Sequence, residues 1–66
     1  MTISLNGRPH ELAEECSVAA LLESLGLTGR PLVVELDQAA LLPREYGQAE
    51  VRAGARVEII TIAAGG

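Results

Sequence analysis

The sequence predicts an α+β fold in which a mixed sheet of about four to five strands packs on one main helix. Three observations carry it: strand-like alternation opens the chain, one helical apolar stripe follows, and β-rich runs fill the remainder up to Ile62.

Met1, Ile3 and Leu5 alternate with Thr2 and Ser4, the period of a strand with one buried face. Asn6-Gly7 comes next, a strong signal for a tight hairpin because both residues tolerate a positive φ. A weaker second strand covers roughly Pro9 to Leu12, with Pro9 at a start or edge since it has no N–H to give a ladder.

Ser17 stands where a helix N-cap belongs, and Val18, Leu21, Leu22 and Leu25 recur at i, i+3, i+4 and i+7. That spacing predicts a helix of about two turns, closed by Gly26 in the left-handed conformation. Gly29, Arg30 and Pro31 then lead back to the sheet.

Leu32-Val33-Val34 open a β-rich run to Leu36. Asp37-Gln38 precedes a second short apolar stretch from Ala39 to Leu42, which Pro43 ends. After a polar link through Tyr46 and Gly47, Ala53-Gly54 offers a turn, and Arg56 to Ile62 forms the last β-branched run. The order is β-β-α-β-β-β, for which the β-grasp, a sheet with one face under a helix, is the natural architecture.

With 66 residues the expected organisation is one domain over 1–66, ending in a flexible tail over 63–66. So small a chain has little room for a catalytic cleft, which favours a carrier or binding module over an enzyme. Apolar residues make up 48% and charged residues 21%, a globular balance, and no run is long enough for a membrane helix. Met1 leads directly into strand-like sequence without a signal-peptide pattern, so the expected compartment is the cytoplasm.

The net charge of −4 argues against nucleic acid and for encounter with a basic protein surface. All five basic residues are arginine, so the chain lacks the lysine needed for lysine-linked chains of itself. Cys16 and His10 fall short of a metal-ligand set, and no resident metal or cofactor is expected. They also lie in different elements, and no Gly-rich phosphate loop is present, so any activating chemistry belongs to a partner.

The candidate reactive group is the C-terminal carboxylate of Gly66. Ala63-Ala64-Gly65-Gly66 could extend ~13 Å, enough to enter a partner's active site. Diglycine has no Cβ to obstruct a narrow channel or shield the terminal carbonyl. As an anion at neutral pH the carboxylate resists nucleophiles until an adenylate supplies a leaving group, after which a sulfur nucleophile can attack.

Other positions carry two readings each. In the last strand Val57, Ile59 and Thr61 face one way and Glu58, Ile60 and Ile62 the other. Ile60 and Ile62 are either covered by neighbours or an open patch that docks a partner. Arg44, in Pro43-Arg44-Glu45, is either exposed on a one-turn helix or a partner contact. Cys16 is a small, partly buried hydrophobe or a thiol made reactive by the helix N-terminus. His10 reads as a solvated edge residue, and Glu14-Glu15 as a solvated turn with charge favourable to the helix start.

Taken together, Ile3 through Gly7, Leu42-Pro43-Arg44-Glu45-Tyr46, and Gly54 through Ile62 followed by Ala63-Ala64-Gly65-Gly66 resemble the sulfur carrier family of thiamin biosynthesis, the ThiS family. The resemblance covers nearly the whole chain. It departs where the family usually has an Asn near Asp37 and often a Trp at Tyr46.

The resemblance implies a ubiquitin-like β-grasp and adenylation of Gly66 by an E1-like adenylyltransferase using ATP and Mg²⁺. It further implies a thiocarboxylate whose sulfur comes through a cysteine desulfurase or other donor and passes to thiazole synthase. The small subunit of molybdopterin synthase and carriers for cysteine synthesis are similar in fold and tail. A ubiquitin-like protein modifier and a plain interaction module are the readings from other classes.

Overall fold

A computed structural model describes residues 1–63. Ala64, Gly65 and Gly66, on which the tail chemistry rests, lie outside the described residues. The strands are β1 (Thr2–Leu5), β2 (Arg8–Glu11), β3 (Cys16–Ser17), β4 (Leu32–Leu36), β5 (Ala39–Leu41), β6 (Glu50–Val51) and β7 (Arg56–Thr61). The helix α1 (Val18–Ser24) follows β3, and a 3-10 helix spans Pro43–Glu45.

Five strands form a mixed sheet in the order β2-β1-β7-β4-β5. The β1–β7 pair is parallel and the others are antiparallel. With α1 on one face this is the β-grasp expected from the sequence.

Both tight hairpins follow from residues that accept positive φ. Asn6 and Gly7 stand at φ 51° and 79°, and Asp37 and Gln38 at 49° and 73°. Two consecutive left-handed residues give a turn whose twist matches the flanking strands.

At the helix start the Ser17 hydroxyl accepts the Ala20 N–H at 3.0 Å. Val18 and Ala19 donate theirs to the Ala49 and Tyr46 carbonyls, each at 2.9 Å. The helix closes on Gly26 (φ 72°), with Leu27 donating to the Leu22 carbonyl and Gly26 to that of Glu23. These crossed bonds satisfy the last turn's carbonyls as a Schellman cap does.

Ile3, Val18, Leu21, Leu22, Val34, Val51, Ala55, Val57 and Ile59 form the core between sheet and helix. Their spacing explains it: Val18, Leu21 and Leu22 share one helix face, while Ile3, Val34, Val57 and Ile59 share one sheet face by two-residue alternation.

The sequence reading missed the two-residue ladder of β3 with β6, which pairs Cys16 with Val51 and Ser17 with Glu50. Two residues are too few to show a period, and the partner lies far along the chain. Smaller corrections concern ends. The second strand begins at Arg8 rather than Pro9, the fifth stops at Leu41 rather than Leu42, and the last stops at Thr61.

Candidate functional site

β7 is the central strand of the sheet and the last element before the C-terminal residues. Its inner face, Val57 and Ile59, is buried in the core. On its outer face Ile60 is 55% exposed, and Ile62 just beyond is 53% exposed. Of the two readings of these isoleucines, the uncovered patch is the one the fold adopts.

The patch extends past β7. Val33 of β4 pairs with Ile60 across the antiparallel ladder and is 38% exposed. Leu42, 50% exposed, continues β5 by one residue beyond the Val34–Leu41 pair, which aligns it with Val33. Leu42, Val33 and Ile60 therefore form one apolar row across three strands, with Ile62 next along β7.

These four are the large exposed hydrophobic residues among the described residues, and they lie together rather than scattered. The sequence reading found Ile60 and Ile62 but not Val33 or Leu42. Val33 was legible as the outward neighbour of Val34, whereas Leu42 joins the row only through the β4–β5 register.

Below the apolar row the outer face turns polar. Glu58 and Glu35 lie directly opposite each other, and the Arg56 Nε stands 3.3 Å from Glu58. Like charges across a ladder repel, and the arginine offsets that at the cost of little net stability because the pair is solvated.

The carboxamide of Asn6 holds the strand from the β1 side. Its Nδ2 donates to the Ile59 carbonyl at 3.2 Å, and the Ile59 N–H donates to its Oδ1 at 2.7 Å. β1 has turned away at this point, and the side chain supplies the two groups that a further strand residue would have supplied. On the other side the Ile62 N–H donates to the Pro31 carbonyl at 2.9 Å. Asn6 was read from sequence as a turn residue alone; nothing short of the packed sheet reveals its second role.

Arg44 lies exposed in the 3-10 helix, two residues after Leu42, while Glu45 turns its Oε1 back to accept the Leu42 N–H at 2.6 Å. Glu45 is thereby a local cap. Arg30 and Pro31 join Thr61, Ile62 and Ala63 in lining a shallow groove at the root of the tail.

Cys16 is half-buried against the core. Its thiol pKa is raised, first by burial and then by the negative charges of Glu50 and Glu14. This fits the reading of Cys16 as a small, partly buried hydrophobe; the first helical N–H groups are bonded to the Ser17 hydroxyl and the Tyr46 and Ala49 carbonyls. His10 is on the edge strand β2, as expected, but is half-buried rather than solvated, while Glu14 and Glu15 are exposed, as expected.

Among the described residues no group of three or more His, Cys, Asp or Glu side chains is placed to hold a metal ion. No helix among them is long and apolar enough to cross a membrane.

A family model for the ThiS family matches residues 3–66. Two solved structures from Geobacter metallireducens are similar. The crystal structure of thiamine biosynthesis protein (ThiS) has a TM-score of 0.86 at 29% identity, with 100% of each chain covered. The solution NMR structure of a thiamine biosynthesis protein has a TM-score of 0.84 at 29% identity, covering 100% of this chain and 88% of that one. A search of curated proteins found no match. The match over nearly the full length, on a sheet whose central strand leads into the tail, shows that the chain belongs to the ThiS family.

Proposed function

We propose that this protein is a sulfur carrier of thiamin biosynthesis that works through the C-terminal carboxylate of Gly66. The observation that carries the reading is the family match, which runs through residue 66 and includes the diglycine.

The chemistry follows from the carboxylate. One oxygen attacks the α-phosphorus of ATP on an E1-like adenylyltransferase, whose Mg²⁺ neutralises the phosphates, and pyrophosphate leaves. A persulfide sulfur, derived through a cysteine desulfurase or another donor, then forms a bond to the carbonyl carbon as the bond to AMP breaks, and a thiol reductant cleaves the resulting acyl disulfide, itself becoming a disulfide, to leave the sulfur on Gly66. The resulting thiocarboxylate passes its sulfur to thiazole synthase. ATP and Mg²⁺ belong to the activating partner, and the carrier is its substrate.

The outer face supports the same reading. The row Leu42, Val33 and Ile60, with Ile62 at the tail root and Arg44 beside Leu42, is the docking face for the activating enzyme. Burial of these side chains supplies affinity while Ala63, Ala64, Gly65 and Gly66 enter the active site. The net charge of −4 favours encounter with a basic enzyme surface.

Incubation with the E1-like enzyme, ATP and a sulfur source is expected to raise the intact mass by the difference between sulfur and oxygen, with no gain when Gly66 is deleted. An unchanged mass for wild type, or the same gain without Gly66, would sink the proposal. Conjugates to lysines of other proteins would instead identify a modifier. Sulfur delivery to molybdopterin or cysteine synthesis, but not to thiazole synthase, would move it to a related carrier pathway.

A further inference from the structure

Asn6 is the chain's one asparagine, and Gly7 follows it. Asparagine is a chemically labile residue, and a following glycine makes it more so: without a Cβ, the glycine nitrogen meets little hindrance when it attacks the carboxamide carbon. Here Gly7 stands in the open. Nothing lies within 4 Å of where its Cβ would be, so water and base reach its nitrogen.

The fold withholds the other reactant. Ring closure joins the Gly7 nitrogen to Asn6 Cγ, which requires the carboxamide to swing back over its own backbone. In the folded chain both ends of that carboxamide are engaged on β7: the Ile59 N–H donates to Oδ1 at 2.7 Å, and Nδ2 donates to the Ile59 carbonyl at 3.2 Å. The Asn6 N–H is also held, by the Val57 carbonyl at 2.9 Å. Cγ cannot meet the Gly7 nitrogen until the side chain leaves Ile59.

We propose that Asn6 is a spontaneous deamidation site gated by its own hydrogen bonds to Ile59, and that its conversion permanently opens the flank of β7 that it closes. Once the carboxamide is released, the Gly7 nitrogen forms a bond to Cγ. The Cγ–Nδ2 bond breaks, and Nδ2 departs as ammonia with the proton from Gly7, leaving a cyclic succinimide. Water then opens the ring at either carbonyl, to an aspartyl or an isoaspartyl residue. One water enters and one ammonia leaves, with no oxidant or reductant.

Neither product restores the closure. A carboxylate has acceptor oxygens and no N–H, so the oxygen that replaces Nδ2 faces the Ile59 carbonyl oxygen and repels it. The isoaspartyl linkage also adds a main-chain carbon to a two-residue turn whose flanking residues, Leu5 and Arg8, are paired. Each product adds a negative charge to the net −4. An intact carboxamide therefore marks a chain that has stayed folded, whatever partner it serves.

The full chain, incubated near neutral pH in buffer and in unfolding urea, tests this by peptide mass mapping, which resolves the aspartyl and isoaspartyl products at position 6. Conversion should be at least about tenfold slower in the folded chain. At urea concentrations below the unfolding transition, its rate should rise in step with hydrogen exchange of the Ile59 amide. Equal rates in the folded and unfolded chain, or no conversion in either, would overturn the inference. Conversion that follows global unfolding alone, while the Ile59 amide opens earlier, would overturn the gate.

Asn6→Asp supplies one product directly, and its Ile59 amide should exchange at least about tenfold faster than in wild type. Exchange at the wild-type rate would overturn the opened flank. Should that variant fail to fold, the wild-type time courses still decide whether the site converts and what gates it.

Discussion

The two halves of β7 stand in different surroundings. Arg56 to Ile59 are flanked by β1, or by Asn6 standing in for it, and by β4, with Val57 and Ile59 sunk in the core. From Ile60 onward the strand keeps β4 but loses β1, and its side chains open to solvent. The first half holds the fold together and the second presents it. A tail can be handled by another protein without loosening the domain because the paired half anchors it. The following experiments sharpen that division or break it, in falling order of expected effect.

Ile59→Ala should cost about 2–5 kcal/mol, since it opens a cavity under the helix. For a domain of this size that is a large share of the total stability. Urea unfolding measures it, and a loss near that of a surface change would show that the core does not depend on the inner half.

Asn6→Ala removes both bonds to Ile59 and places a Cβ-bearing residue without a compensating carboxamide at φ 51°. It should cost about 1–3 kcal/mol and speed exchange of the Ile59 amide ahead of global unfolding. Equal exchange in variant and wild type would remove Asn6 from the anchor.

Ile60→Asp should leave stability within about 0.5 kcal/mol, because the side chain is already half in water. Binding to the activating enzyme should fall sharply in a titration followed by calorimetry. Unfolding of this variant would assign the outer row to the core, and unchanged affinity would remove it from the docking face.

The smallest effect concerns Cys16. Its folded pKa is raised, so the neutral thiol contributes stability that is present below the ordinary thiol range and is lost as pH rises through the raised value. Relative to Cys16→Ser, wild type should lose thermal stability through the alkaline range. A difference that stays constant with pH would show that burial and the two glutamates do not act on the thiol.

Much of this was legible from residues. Ser17 reads as a cap because its hydroxyl is the right length to reach Ala20, and Asn6-Gly7 as a turn because both take positive φ. Val18, Leu21 and Leu22 read as one apolar helix face from spacing alone, and Val57 and Ile59 as sharing one face of the last strand. The β3–β6 ladder was not legible, because it joins segments more than thirty residues apart by two residues each. Asp37-Gln38 was a weaker turn signal for a related reason: Gln38 takes φ 73° only because the β4–β5 pairing holds it there.

By itself the sequence determined the β-grasp, the helix with its caps and the diglycine end, since these depend on local conformation and on the period of apolar residues. Whether Ile60 and Ile62 are covered, that Val33 and Leu42 stand beside them, that Asn6 closes the flank of Ile59, and that Cys16 lies half-buried on β3 were decided only by the tertiary structure. Each of these depends on which distant strand lies alongside, and neighbours across a sheet are set by register and topology, which a linear pattern does not encode.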